Sequence, residues 1–274
     1  MFMNTSTRDT YIDFLKLLAI FFMILDHIAY YLMPADLPST TFIRGFGRIA
    51  MPLFFITHGY LLAYRSASLS SDWLQVRIGY FIVIGAFFTG ILHALNQPFM
   101  LNILIQFACV EICWLFTLKR HVLFRISLVF IIACYLAGYD LFINWLFTGE
   151  LYYIYHSIEY GAYPLFYSAA GSILGYAPRS KFFQTLATLI LVTTLSFQYN
   201  IFIYGIFSVI VNWSFISWFL TSLSLLVLFW YIPQSSQNFR ITSPAITFVS
   251  RHAFVIYFFH LQLIFIVLLA FSHA

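Results

Sequence analysis

Apolar runs close to bilayer length follow one another along almost the whole chain, and that succession constrains the fold more than any single residue does. A helix needs about 20 mostly apolar residues to cross a hydrocarbon core. Runs of this kind lie at 12–33, 47–64, 76–95, 100–118, 123–138, 163–176, 182–198, 213–232 and 246–271. The intervening 139–162 is too polar and aromatic to span cleanly; as a re-entrant or interfacial stretch it makes eight or ten crossings the alternatives to nine. Composition closes off the soluble option. With 62% hydrophobic and 8% charged residues, the 13 Lys+Arg and 9 Asp+Glu cannot cover a water-facing surface on a 274-residue globule. The expected fold is an all-α, polytopic membrane bundle, one domain over residues 1–274, with the lipid bilayer as its solvent. The 34 Phe and 19 Tyr suit lipid faces and membrane interfaces. The first run carries Asp26-His27 and is followed by no small-residue cleavage site, so it reads as a retained span and not a signal peptide.

Basic residues in short loops stay cytoplasmic. An inside N-terminus puts Arg8, Lys16, Arg65, Arg77, Lys119, Arg120, Arg125, Arg179, Lys181, Arg240 and Arg251 on or near that face. The opposite loops at 34–41, 96–98 and 140–161 hold no Lys or Arg. Arg44 and Arg48 alone break the pattern, at the outer end of the second run. A formal charge of +4 dispersed in this way records topology, and no nucleic-acid partner is expected. Cys109, Cys113 and Cys134 are an odd count inside apolar runs and read as buried small hydrophobes, with neither disulfide nor zinc indicated.

Ionisable residues inside a span are costly and mark functional candidates. On the first run, eleven residues at about 100° each return Lys16 to within roughly 20° of His27, and Asp13 falls within about 40°. Asp13, Lys16 and His27 thus share an inward stripe, with Asp26 a quarter-turn aside. Arg44 and Arg48, four apart, project the same way, and the short hairpin sets Arg48 beside Asp26 and His27. The carboxylate either pairs with Arg48 or holds the His27 tautomer. His260 lies near the middle of the last run. His58, His93 and Glu111 read as structural, while Asn102 and Gln106 form a polar face on the fourth run. A transporter or proton-coupled channel would bury a similar Asp/His/Arg relay, although no repeat halves or paired broken helices accompany it.

Three segments carry a resemblance: Ile12-Asp13-Phe14-Leu15-Lys16-Leu17-Leu18-Ala19, Asp26-His27-Ile28-Ala29, and Gly47-Arg48-Ile49-Ala50-Met51-Pro52-Leu53-Phe54. In order and spacing they resemble the TraX family of membrane-embedded pilin acetylases, as does the closing Ser250-Arg251-His252-Ala253 with Ile256-Tyr257 and His260. The likeness covers the first 65 residues, the last 25, and in passing Asn102-Ile103-Leu104 and Glu159-Tyr160-Gly161. His58 departs from it, standing where a small or acidic residue is expected before Gly59. TraX-like proteins are similar in turn to the wider class of transmembrane acyltransferases. The resemblance implies a bacterial inner-membrane acetyltransferase that moves an acetyl group from cytoplasmic acetyl-CoA to a protein or glycan acceptor. It also implies His27, Asp26 and Arg48 as catalytic residues, Lys16, Arg44, His260 and Asp13 as donor-binding residues, and no metal.

Overall fold

A computed structural model describes residues 10–34, 37–94, 102–146, 162–198 and 243–272. The regular elements among them are all helices: α1 (Thr10–Leu32), α2 (Pro38–Gly47), α3 (Ala50–Tyr64), α4 (Ser71–Ala94), α5 (Ile103–Phe116), α6 (Val122–Leu146), α7 (Tyr163–Tyr176), α8 (Lys181–Gln198), α9 (Pro244–Arg251) and α10 (Ala253–Ser272). Phe42–Tyr64, Ser71–Ile91 and Ala253–Ala270 are long and apolar enough to cross a membrane, and Ile103–Phe116, Val122–Ala137 and Lys181–Leu195 are shorter apolar helices. Val83, Tyr135, Phe182 and Leu263 point outward, an arrangement that only lipid rewards. The run expected at 213–232 lies outside the described residues, as do most of 139–162.

Several boundaries differ from the expected runs, among them the start of α4 at Ser71 where 76 was expected. The second run was expected unbroken over 47–64; it is two helices parted at Arg48-Ile49. Pro52 lacks the N–H that would reach the Arg48 carbonyl and its ring crowds that carbonyl, so the helix restarts at Ala50 with Pro52 in its first turn. The chain still turns tightly there, with Arg48 N–H bonded to Arg44 O at 3.0 Å and Ile49 N–H to Phe46 O at 3.1 Å. The last run is likewise parted at His252, whose Nδ1 lies 2.8 Å from the Phe248 carbonyl that its own amide also reaches. The fourth begins only at Ile103, because Asn102 caps it: the Asn102 side chain accepts from Leu104 N–H at 3.0 Å. Asn102 is therefore the cap of α5. The fifth continues past 138 to Leu146.

The chain forms two compact units, residues 1–57 with 195–274, and residues 58–194. In the first, α2, α9 and α10 all pack on α1. A Cβ placed on Gly47 would run into the backbone and Cβ of Asp26, so the absence of a side chain there is what allows α1 and α2 to touch. In the second unit α4 packs on α5, α6 on α7, and α5 on both α6 and α7. Small residues again set the spacing: Gly59 meets the Ser168 carbonyl, Gly175 meets the Tyr60 carbonyl, and Ser172 Oγ donates to Gly59 O at 3.1 Å.

Candidate active site

Neighbouring residues on a helix point about 100° apart, and α1 uses this to give Asp26 and His27 different partners. Asp26 faces α2. Its Oδ1 lies 3.6 Å from Arg44 Nε and its Oδ2 3.7 Å from Arg48 Nε, with the carboxylate side chain 8% exposed and the arginines 30% and 32%. The four-residue spacing that projects both arginines one way is thus read out as a double ion pair. Both separations exceed hydrogen-bond range, so the pairing balances charge without joining these atoms. Arg44 also stands over the Tyr30 ring, 4.5 Å from its centroid.

His27 faces α10. Its Nδ1 lies 2.7 Å from His260 Nε2, and His260 Nδ1 lies 3.1 Å from the Ile256 carbonyl. Tyr31 and Tyr257 flank the His27 ring, with centroids 6.0 and 6.4 Å away. Of the two roles open to Asp26, the geometry gives the pairing with arginine; the partner that orients His27 is His260. His260, expected to bind the donor, has its two ring nitrogens beside His27 Nδ1 and the Ile256 carbonyl.

The other end of α1 is a separate polar place. The Asp13 carboxylate, 5% exposed, accepts from Ser250 Oγ of α9 at 2.6 Å. Asp13 and His27 do lie toward the α9–α10 side, as the stripe predicts, but Asp13 is closed by Ser250 and stands about 20 Å from His27 by helical rise. The bond to Ser250 ties α1 to α9. Lys16, half-buried, lies one turn along from Asp13, and Arg251 follows Ser250 at the exposed end of α9.

The sequence reading passed over a second buried ionic group. Glu111 on α5, 0% exposed, has Arg77 Nη2 of α4 at 2.7 Å and His58 Nε2 of α3 at 3.5 Å from Oε1. Arg77 also covers the Trp73 ring at 4.2 Å. The sequence places Arg77 among the basic residues of the cytoplasmic face and reads Glu111 and His58 as structural; one acid in an apolar span, with a cation near the start of the adjacent run, is the sign that they pair. Arg125, 5% exposed, also has protein partners, donating to the carbonyls of Leu118 and Arg120. The cysteines correct another reading, since only Cys113 is buried while Cys109 and Cys134 are exposed, and all three are free thiols. Among the described residues no three His, Cys, Asp or Glu side chains are grouped to hold a metal.

A family model described as an acyltransferase domain matches residues 9–274, nearly the whole chain, and the protein belongs to that family. It is an integral membrane protein of acyltransferase type, and a transporter or channel is not the favoured reading. No curated protein and no solved structure matches the chain.

Proposed function

We propose that the protein transfers an acetyl group from cytoplasmic acetyl-CoA to an amine or hydroxyl of a protein or glycan at or across the membrane, and that the Asp26, His27, Arg44, Arg48 group performs the transfer. The observation carrying this reading is that adjacent residues at one end of α1 present an imidazole, His27, and a buried carboxylate, Asp26, that is paired with two guanidiniums, in a chain of the acyltransferase family. His27 takes the proton from the attacking amine or hydroxyl. The acceptor atom bonds to the thioester carbonyl carbon, the carbon–sulfur bond breaks, and the CoA thiolate leaves to be protonated. Arg48, with Arg44, stabilises the charge that develops on the carbonyl oxygen, and Asp26 keeps the two guanidiniums together until it does. The TraX-like segments make a pilin amino terminus one candidate acceptor, beside a glycan hydroxyl. The deciding experiment incubates purified protein and a candidate acceptor with labelled acetyl-CoA: turnover in the wild type and a loss of about 10²–10⁴-fold in a folded His27→Ala protein is expected, and equal rates would refute the assignment.

The same reading requires the donor to approach from the cytoplasm, and the distribution of basic residues supports an inside N-terminus. Nine crossings then put the C-terminus outside. A periplasm-active reporter fused after Ala274 is expected to work; activity of only a cytoplasmic reporter would make the number of crossings even.

A further inference from the structure

We infer that His260 is a positioning residue that fixes the tautomer of His27, placing the proton on His27 Nδ1 and leaving the lone pair on Nε2. This deepens the acyl-transfer reading above and rests on it for its catalytic meaning, though not for its geometry.

Ile256 O has only lone pairs, so His260 Nδ1, 3.1 Å away, must be the donor and must carry the hydrogen. A neutral imidazole with its proton on Nδ1 offers a lone pair at Nε2. That Nε2 is 2.7 Å from His27 Nδ1, so the hydrogen between the rings belongs to His27. In a neutral His27 the remaining nitrogen, Nε2, is then unprotonated, and among the described residues it makes no hydrogen bond. The neutral pair is the form consistent with its setting, because two guanidiniums share a single carboxylate beside it.

Ring orientation supports the same assignment. The two imidazole planes differ by 4° with centroids 5.0 Å apart. Rings stacked face to face could not bring two nitrogens to 2.7 Å, so the rings are nearly coplanar and meet edge to edge. Imidazole N–H bonds and lone pairs lie in the ring plane, and an edge-to-edge meeting aligns them. A backbone carbonyl of α10 thus sets the proton position on α1 through two rings. The logic matches that of a carboxylate behind a catalytic histidine, with a neutral relay in place of a charge. A neutral relay suits a lipid-embedded site, where another buried charge would be costly.

The test has a spectroscopic arm and a kinetic arm. Protein labelled with ¹⁵N-histidine, with His27 assigned by difference from His27→Ala, reports which ring nitrogen of His27 bears hydrogen through its two-bond ¹⁵N–¹H couplings. The wild type is expected in the Nδ1–H form, and His260→Leu is expected to move His27 toward the Nε2–H form. In the kinetic arm, His260→Leu is expected to lower kcat about 10–100-fold with the KM for acetyl-CoA unchanged. His260→Gln, whose Oε1 can accept where Nε2 did, recovers most of that loss. An Nε2–H form in the wild type overturns the inference whether or not any variant folds, and so does a His27 spectrum indifferent to His260→Leu. The expected spectra together with absence of acetyl transfer in the wild type would leave the tautomer assignment standing and sink the proposed function.

Discussion

Two places in this molecule bury a carboxylate against cations, and they are built differently. Glu111 is wholly enclosed, and the nearest guanidinium nitrogen stands at contact distance, 2.7 Å. Asp26 holds two arginines at 3.6 and 3.7 Å, each about a third exposed, next to a histidine whose Nε2 makes no hydrogen bond among the described residues. The first arrangement has settled its charges on one another. In the second, the carboxylate is shared between two guanidiniums at wider separations, which under the proposed function lets the arginines also meet a charge that develops during reaction. Under the proposed function the two groups differ in how near their cations stand, and burial alone would not separate a reacting group from a structural one.

The sharpest way to break this comparison is to remove charge from the open group. Asp26→Asn leaves Arg44 and Arg48 repelling each other without a counter-ion, and Arg48→Ala removes a donor from the developing oxyanion. Each is expected to cut kcat by about 10²–10³-fold in protein that still inserts and folds, with Arg48→Lys failing to rescue because an ammonium lacks the planar fork. Turnover within a factor of about two of wild type for both would show that the ion pairs around Asp26 are as structural as the one around Glu111.

Equivalent surgery on the closed group should give the opposite profile. Glu111→Leu strands the Arg77 guanidinium in the span and is expected to cost about 3–5 kcal/mol, read as a lower melting temperature in detergent. The kcat of the molecules that remain folded should be unchanged. Replacing both partners, Arg77→Met with Glu111→Leu, should recover much of the stability, since apolar groups in place of a buried pair are often neutral or better. Loss of kcat without loss of stability in Glu111→Leu would make this group part of the machinery and erase the distinction.

The same contrast explains what could be read in advance. Helical class and membrane embedding were legible because lipid leaves an unmistakable signature in run length and composition, and the positions of α1, α7 and α8 follow it within two residues. The breaks at Arg48-Ile49 and His252 were not read, although Pro52 was visible; hydropathy averages over a span and is blind to which carbonyl a proline deprives. At the site, the pairing of Arg48 with Asp26 was legible from a short hairpin and helical spacing. The partnership of His27 with His260 was not, because the two are 233 residues apart and nothing in either run specifies which faces meet. The Arg77–Glu111 pair was missed for a related reason: positive residues near helix ends serve topology and ion pairing with identical chemistry, and only packing tells them apart.

The weakest expected effect lies at the far end of α1 and concerns donor capture, not chemistry. The Ser250–Asp13 bond holds the end of α9 against the start of α1, which places Arg251 and Lys16 at the same level of the first unit. If CoA reaches His27 from the cytoplasm, its phosphates pass this level, and these two cations are the ones the first unit offers there among the described residues. Neither is deeply buried, so each contact is screened and worth about 0.2–1 kcal/mol, which predicts that Arg251→Gln or Lys16→Gln raises the KM for acetyl-CoA about two- to fivefold. The salt dependence of that KM should flatten at the same time, because a screened attraction has been removed, and kcat at saturating donor should hold. Arg179→Gln, exposed on the second unit, is the matched control expected to leave donor KM alone. If KM in both first-unit variants matched the wild type at low salt, the phosphates would have to be held elsewhere, and the division of α1 into a capturing end and a reacting end would fail even with His27 correctly assigned.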